Sequence, residues 1–339
     1  MSEMVTKPLI GITVGDPVGI GPEVVAKTLV EPEIYTYCRP VVIGRSELLR
    51  REAHNLRLGL SIQSVTGDIQ SVQPSSHVTF VWETGPENVL DLAVGELNPD
   101  AGRAAYAYAV EAAQLALDHK VDALATAPMN KTALSRAGIE DIGHLEIYTR
   151  MSGVNDTATM LAVGPYRVVH LSTHVPLGRA AEQVTFDRVL ARLRLTHKQF
   201  HEWGLDGPKI GVAALNPHGG DDGLIGNEEA TAISPAIEEA QKEGIDAHGP
   251  FPVDSMFPQA RDGRWDAILV HYHDQGHIPI KMHDFESSVS LNLGMPFTRT
   301  SVDHGTAFDI AGQGIADPTG MIAAVKLAAR LVSGQGFVT

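Results

Sequence analysis

Short β-rich runs alternate with helical patterns along most of the chain, and this alternation restricts its fold more than any other feature. The predicted strands are 9–14, 40–43, 78–82, 123–127, 159–163, 167–172, 210–215 and 267–270. The predicted helices are 22–30, 46–58, 101–119, 186–203, 227–243 and 319–331. Alternation of this kind is typical of βαβ units, whose strands run parallel. Fixed-period repeats are absent from the sequence, which argues against solenoids and propellers. We therefore predict an α/β fold with mostly parallel sheets.

The charge balance limits the classes of partner. The 339 residues carry 26 Lys and Arg against 41 Asp and Glu, a formal net charge of −15. Binding to nucleic acid or to an anionic membrane needs a basic face, so we expect neither as a partner. An anionic ligand must instead be met by a few local cations.

Cysteine usage and hydropathy indicate the compartment. The single Cys38 cannot close an intrachain disulfide, and no apolar run reaches the roughly 18 residues that span a bilayer. The first residues lack the apolar core and cleavage site of a secretory signal. We expect a cytoplasmic protein.

A glycine-rich motif, GDPVGIGPE at 15–23, lies between the first predicted strand and helix. The spacing of its glycines departs from G-x-G-x-x-G, so it is not a Rossmann fingerprint. From the residues alone, a ligand-binding turn and a tight βα turn without a ligand are equally supported.

Three histidines follow predicted strands in glycine- or proline-rich settings. They are His174, His218 and His273. The carboxyl ends of parallel strands are where open α/β sheets build their sites, so the three could share one divalent metal. The gaps between them form no local ligand motif, and a single histidine is more often a polar surface or core residue than a ligand.

The stretch from Ser301 to Pro318 is rich in glycine and carries three carboxylates, Asp303, Asp309 and Asp317. Exposed backbone N–H groups and side-chain acceptors together suit a polyhydroxylated ligand such as a nucleotide ribose. The alternative is an ordered loop before the last helix. Four isolated polar residues are candidates for clamping a carboxylate or phosphate, or are surface charges: Lys131, His144, Lys281 and Arg299.

Together these motifs resemble the PdxA family of NAD-dependent 4-phosphohydroxythreonine dehydrogenases, from residue 10 to about residue 330. The motifs are GDPVGIGPE (15–23), APMNK (127–131), GH-x-E (143–146), THVPL (173–177), NPHGGDDG (216–223), DSMF (254–257), HDQGHIPIK (273–281) and RTSVDHGTA-x-DIAGQG (299–314). The first and last are also similar to elements of isopropylmalate and isocitrate dehydrogenases. The resemblance implies their two-lobed fold with a central cleft. Residues 1–133 and 305–339 would form a cofactor-binding lobe, and residues 134–304 a lobe for metal, substrate and dimerisation.

The resemblance also implies roles for individual residues. His174, His218 and His273 match metal ligands (Zn, Mn, Co, Ni or Mg), contributed by both chains of a homodimer with its active sites at the interface. Lys281 and Asp254 match catalytic residues. The matched substrate-binding positions are His144, Leu145, Lys281, Ser290 and Arg299, and the matched NAD-binding positions are Gly305, Thr306, Asp309 and Gly312.

Two departures from the family pattern bear on the substrate. GHTE is GHLE here, so Leu145 replaces a threonine, and Ser290 stands where an asparagine is expected, with Asn292 two residues on. Loss of polar partners implies a changed substrate. We therefore expect the PdxA2-like branch, which oxidatively decarboxylates 4-phospho-D-threonate or 4-phospho-D-erythronate to dihydroxyacetone phosphate and CO2. The alternatives are the vitamin B6 pathway dehydrogenase, an aromatic cis-dihydrodiol dehydrogenase, and a non-catalytic sensor of metal and nucleotide.

Overall fold

The computed structural model describes residues 7–65 and 67–337, and it divides into two compact units. Unit 1 consists of Met1–Asn155 and Met295–Ser333, and unit 2 of Asp156–Gly294 and Gly334–Thr339. The lobe boundaries predicted from the sequence lie at 133/134 and 304/305. The predicted roles of the two lobes, cofactor binding for one and metal binding, substrate binding and dimerisation for the other, stay predictions. The predicted lack of a secretory signal concerns the N-terminal segment, of which residues 1–6 lie outside the described part.

Unit 1 contains six strands and seven helices among its described residues. The strands are β1 (Leu9–Thr13), β2 (Arg39–Gly44), β3 (Ser61–Ser64), β4 (Val78–Glu83), β5 (Ala123–Thr126) and β12 (Thr298–Val302). The helices are α1 (Gly21–Leu29), α2 (Ile34–Tyr37), α3 (Ser46–Asn55), α4 (Pro99–Leu117), α5 (Lys131–Arg136), α6 (His144–Ser152) and α12 (Thr319–Val332). The strands are hydrogen-bonded in the order β3-β4-β2-β1-β5-β12, and every neighbouring pair is parallel.

Strand β1 lies in the middle of this array and is buried along its whole length. Its side chains alternate between two apolar clusters, as the pleat requires. Ile10 and Ile12 belong to one cluster, and Leu9 belongs to the other with Val41 of β2. A parallel sheet covered on both faces needs such continuous apolar strands, which is why β1 reads as LIGIT.

Unit 2 contains six strands and five helices among its described residues. The strands are β6 (Ala158–Val163), β7 (Tyr166–His170), β8 (Ile210–Ala213), β9 (Ala247–Phe251), β10 (Ala267–Val270) and β11 (Val289–Leu293). The helices are α7 (Leu177–Glu182), α8 (Phe186–Glu202), α9 (Ser234–Lys242), α10 (Val253–Arg261) and α11 (His273–His283). No described helix is long and apolar enough to cross a membrane.

The strands of unit 2 are ordered β11-β6-β7-β10-β8-β9. The pairs β11/β6 and β6/β7 are antiparallel. For β6/β7 the reason is local, because only Gly164 and Pro165 separate the two strands and a two-residue turn joins antiparallel strands. The pairs β7/β10, β10/β8 and β8/β9 are parallel. The carboxyl ends of β7, β10 and β8 therefore lie side by side at one sheet edge. The predicted α/β class with mostly parallel sheets is confirmed.

Candidate active site

The GDPVGIGPE motif forms the turn between β1 and α1. Gly15 has φ +74°, and a Cβ atom there would overlap the carbonyl oxygen of Pro128, so only glycine fits. Glu23 of α1 accepts a hydrogen bond from the backbone N–H of Ala316 at 2.8 Å and pairs with Lys27 at 2.8 Å. Lys27 donates to the carbonyl oxygens of Gly314 and Ala316. The motif thus anchors the far end of the 301–318 stretch.

Asp16 in the same turn is fully buried. Its Oδ1 accepts the N–H of Val18 at 3.1 Å, and its Oδ2 has no partner among the described residues. Burial raises the pKa of Asp16 to about 6, and hydrogen bonds from the backbone oppose this only in part. The folded protein therefore holds a proton here more tightly than the unfolded chain does.

We expect Asp16→Asn to remove the contribution of this carboxyl to the pH dependence of the free energy of unfolding between about pH 4 and pH 6. Because the folded pKa lies above the unfolded one, the stabilisation is complete below about pH 4 and is lost as the pH rises through about 6. The pKa difference corresponds to about 3 kcal/mol in the free energy of unfolding. Urea unfolding midpoints at acidic and neutral pH measure it. Equal pH dependence in the variant and the natural protein would mean that Asp16 does not titrate in this range.

The four residues matched to NAD binding lie in one loop of unit 1. The carbonyl oxygen of Thr306 accepts the N–H of Ile20 at 3.0 Å, and its hydroxyl accepts a hydrogen bond from Asn130 Nδ2 at 3.3 Å. Gly305 and Asp309 are exposed, and Gly312 has φ +76°. The loop is held at both ends while its middle faces solvent. Binding of NAD by this loop stays a prediction.

Arg299 and His144 lie in unit 1 with buried side chains. Arg299 on β12 donates from Nε at 3.0 Å and from Nη2 at 2.6 Å to the hydroxyl of Thr126 on β5. Its guanidinium lies 5.9 Å from the ring centroid of Tyr148, and that ring lies 5.7 Å from the ring of His144. Burial lowers the pKa of Arg299 to about 10, which leaves it cationic at neutral pH. Burial, with the charge of Arg299, holds the pKa of His144 well below its usual value, so its imidazole is neutral.

Leu145 follows His144 on α6 but faces a different environment. It is partly buried and packs against the apolar cluster that contains Ile147 and Phe297. An isobutyl side chain supplies no hydrogen bond to a ligand at this position.

The three predicted metal-ligating histidines follow three neighbouring parallel strands of unit 2: His174 follows β7, His273 follows β10 and His218 follows β8. Hydrogen bonds join these strand ends. The N–H of Leu171 donates to Val270 O at 2.8 Å, His271 Nε2 lies 2.7 Å from Ala213 O, and Gln275 Nε2 donates to Ala214 O at 2.8 Å. The bases of all three segments are therefore fixed relative to one another.

The imidazoles themselves are only partly gathered. The ring centroids of His174 and His273 are 5.8 Å apart, and His277 stacks on His273 at 3.6 Å. Within residues 7–65 and 67–337, no three His, Cys, Asp or Glu side chains are grouped so as to hold a metal ion. Imidazole is a suitable donor for the divalent metals named above, but the described residues do not bring the three predicted ligands together. Their role as ligands stays a prediction.

His218 stands in a left-handed turn. It has φ +54°, and Asp221 and Asp222 that follow it also have positive φ. Non-glycine residues adopt this conformation at a cost, which persists only where neighbours impose it. The segment just before this turn is held by Glu229, whose carboxylate accepts the backbone N–H groups of Leu215 and Asn216 at 2.8 and 2.7 Å. The His218 side chain is exposed.

The remaining predicted residues lie on other elements of unit 2. Lys281 lies on α11, eight residues after His273, and its Nζ is 4.9 Å from the ring centroid of Phe285. Asp254 is exposed in the first turn of α10. Ser290 and Asn292 share one face of β11, and Asn292 is buried.

Sequence reasoning missed several neighbours of these residues: Thr126, Tyr148, His170, Glu229 and His277. His277 had a readable signal, because it lies four residues after His273 on a helix and so shares its face. His170 was hidden at the end of a strand. It is buried beside His277, and burial lowers its pKa to about 3.

Comparisons with known proteins identify the family to which the chain belongs. Residues 36–328 match the family model described as pyridoxal phosphate biosynthetic protein PdxA. A Symbiobacterium thermophilum protein, provisionally named D-threonate 4-phosphate dehydrogenase, is 44% identical over 96% of this chain and 97% of its own. A Geobacter metallireducens protein named 4-hydroxythreonine-4-phosphate dehydrogenase is 41% identical over 98% of this chain and 97% of its own.

Solved structures are similar as well. A 4-hydroxythreonine-4-phosphate dehydrogenase from Burkholderia phymatum has a TM-score of 0.85 at 38% identity, covering 96% of this chain and 98% of its own. The predicted isopropylmalate/isocitrate dehydrogenase-like fold class is confirmed by this likeness to the PdxA dehydrogenases. The chain therefore belongs to the PdxA family and is an oxidoreductase.

Proposed function

We propose that the chain is an NAD- and divalent-metal-dependent dehydrogenase that oxidatively decarboxylates 4-phospho-D-threonate or 4-phospho-D-erythronate to dihydroxyacetone phosphate and CO2. One observation carries the choice of substrate. Leu145 stands where the family pattern has a threonine, and its side chain packs on apolar neighbours. A pocket without that hydroxyl is less suited to the amino acid 4-phosphohydroxythreonine. The names of several relatives, among them the Symbiobacterium thermophilum protein, support the same branch.

The buried side chains of unit 1 suit an acidic substrate. Arg299 supplies the positive charge and the neutral His144 supplies a hydrogen bond without a second charge. Fixed donors of this kind orient the substrate and require little rearrangement during the reaction. In a protein of net charge −15, such local cations are what attract an anion.

The reaction moves a hydride and then a carboxyl group. The C3 hydroxyl loses its proton and the C3 hydrogen leaves with two electrons, which gives NADH and a β-keto acid. Bound metal and NAD supply a Lewis acid and a hydride acceptor respectively. Loss of CO2 leaves an electron pair on C2 as an enolate, whose oxygen the ammonium of Lys281 would stabilise, and a proton taken up at C2 gives dihydroxyacetone phosphate. We assign Asp254 to accepting the proton of the C3 hydroxyl, because a carboxylate is a suitable base and its side chain is exposed.

A homodimer follows from the same proposal. The metal set is incomplete in the described part of one chain, and we propose that the partner subunit completes it. Exposed apolar side chains of unit 2 support an interface there, since α11 exposes Ile278 and, four residues on, Met282, which is 81% exposed. Leu224 near His218 is 88% exposed.

Asp309→Ala is expected to raise the KM for NAD several-fold and to reduce the preference for NAD over NADP, with a smaller change in kcat. The exposed carboxylate of Asp309 would meet the ribose 2′-hydroxyl, and its charge would repel a 2′-phosphate. Asp309→Asn is the matched variant, because it removes the charge and keeps an oxygen that accepts a hydrogen bond. Steady-state kinetics with both cofactors measure the effect, and an unchanged NAD/NADP ratio in both variants would remove Asp309 from the cofactor site.

The proposed activity is tested by mixing protein, NAD and a divalent metal with each candidate acid and following absorbance at the NADH band. NADH formation with 4-phospho-D-threonate or 4-phospho-D-erythronate, above that with 4-phosphohydroxythreonine, supports the proposal. The vitamin B6 alternative predicts NADH from 4-phosphohydroxythreonine above all, and the dihydrodiol alternative predicts it from an aromatic cis-dihydrodiol. The absence of NADH with every acid would favour a non-catalytic sensor.

A further inference from the structure

Tyr148 presents a buried polar atom that the proposed function does not use. The residue lies on α6 and is fully buried, yet its hydroxyl has no hydrogen-bond partner among the described residues. The neighbouring His144 Nε2 is buried and unpartnered in the same way. Buried polar groups in folded proteins are nearly always hydrogen-bonded, so two orphaned atoms on adjacent rings need an explanation.

Packing does not explain the hydroxyl. The ring of Tyr148 stands edge-on to Phe297, with centroids 5.7 Å apart, and belongs to an apolar cluster. A phenylalanine would fill this space equally well and would avoid burying an unpaired oxygen. The hydroxyl can therefore take a partner from outside the described residues, either a ligand or an ordered water.

The charges around Tyr148 identify the chemistry of that partner. Arg299 is a cation with its guanidinium 5.9 Å from the Tyr148 ring. Burial raises the pKa of Tyr148, so its hydroxyl stays protonated and can donate a hydrogen bond to a ligand. Glu146 is the acidic side chain that acts on Arg299, and it is only partly buried. One buried cation with two neutral donors suits an oxyanion, which accepts hydrogen bonds from all three.

We propose that the Tyr148 hydroxyl is a further substrate-binding donor, which hydrogen-bonds a carboxylate or phosphate oxygen of the substrate held by Arg299 and His144. This inference rests on the proposed function, in which those two residues contact the substrate. It adds Tyr148 as a specificity-determining residue on α6, three residues after Leu145.

The test compares Tyr148→Phe with Tyr108→Phe. Tyr108 is also fully buried in unit 1 with an unpartnered hydroxyl, but it lies in the other apolar cluster. Both variants keep the ring, so both should fold. Titration calorimetry without NAD measures the binding of 4-phospho-D-threonate, inorganic phosphate and D-threonate to the metal-supplemented protein.

Tyr148→Phe should weaken binding of 4-phospho-D-threonate by about 10- to 100-fold, the loss expected for a hydrogen bond to a charged group. Tyr108→Phe should leave it unchanged, and the KM for NAD should be unchanged in both. Weaker binding of inorganic phosphate would identify the phosphate as the oxyanion, and weaker binding of D-threonate would identify the carboxylate.

Equal affinity of Tyr148→Phe and the natural protein for all three ligands would overturn the inference and would point to an ordered water as the partner. That result leaves the proposed function intact as long as the natural protein forms NADH. If the natural protein binds none of the ligands and forms no NADH, both the inference and the proposed function fail.

Discussion

His218→Ala should abolish turnover and release bound divalent metal while the fold is retained. The proposed site has three imidazoles, and each must be present for the metal also to hold substrate. Changes to groups that merely support a ligand already cost about 10- to 100-fold in metal affinity, so loss of a ligand should cost at least about 100-fold. The side chain is exposed, and alanine can take the same left-handed backbone position, so little packing energy is lost.

The metal content of the purified His218→Ala variant tests the predicted loss of metal independently of activity. The control is His201→Ala, because His201 lies on the exposed end of α8 in the same unit and has no proposed role. His201→Ala should retain metal and turnover. Full metal occupancy with normal activity in His218→Ala would remove His218 from the site.

The double variant Leu145→Thr/Ser290→Asn should shift preference toward 4-phosphohydroxythreonine by a factor on the order of 10² in relative kcat/KM. A closed site that provides hydrogen bonds discriminates strongly against ligands that leave its groups unpaired. A site that lacks those groups discriminates against the more polar ligand less strongly, by a factor on the order of 10². Leu145 offers an isobutyl group and Ser290 a shorter side chain than asparagine. Restoring a hydroxyl and an amide should therefore favour the ligand that carries the amino group.

The matched control is Leu145→Val/Ser290→Asn. Valine has nearly the shape of threonine and lacks its hydroxyl, so it separates hydrogen bonding from the space opened beside Ile147 and Phe297. The valine variant should shift less than the threonine variant. If neither double variant shifts, positions 145 and 290 do not set specificity.

Elements with regular apolar periodicity were predictable from sequence. The predicted helix 101–119 is α4, Pro99–Leu117, whose start is set by the Asn98 side chain accepting the N–H of Asp100. The predicted strand 267–270 coincides with β10. In these segments local propensity and tertiary burial agree, so the pattern alone determined the element.

Prediction failed where polar or helix-breaking residues interrupt an element. Strands β11 and β12 carry Ser290, Asn292 and Arg299, which broke the apolar run. The sheet accommodates Arg299 because its partner, Thr126, lies on the neighbouring strand β5. Helix α11 contains Gly276 and Pro279. The predicted helix 227–243 is a π-helical turn at Glu229–Ile233 followed by α9, because Pro235 lacks the N–H that a continuous helix needs.

The sequence named individual candidate residues, whose roles stay predictions, but it did not show their surroundings. The sequence located three histidines after strands, and the structure brings those strands together at one edge. The partners of each side chain depend on contacts between residues far apart in the chain. Thr126, which accepts both hydrogen bonds from Arg299, is 173 residues away and carries no local signal of that role.

The measurement that tests the central proposal most directly is kcat/KM of the natural protein for 4-phospho-D-threonate, 4-phospho-D-erythronate and 4-phosphohydroxy-L-threonine, with NAD and a divalent metal. We expect one of the two sugar acids to exceed 4-phosphohydroxy-L-threonine by a factor on the order of 10² or more. The expected products are dihydroxyacetone phosphate, CO2 and NADH in equal amounts. A preference for 4-phosphohydroxy-L-threonine would contradict the proposal and assign the protein to vitamin B6 synthesis.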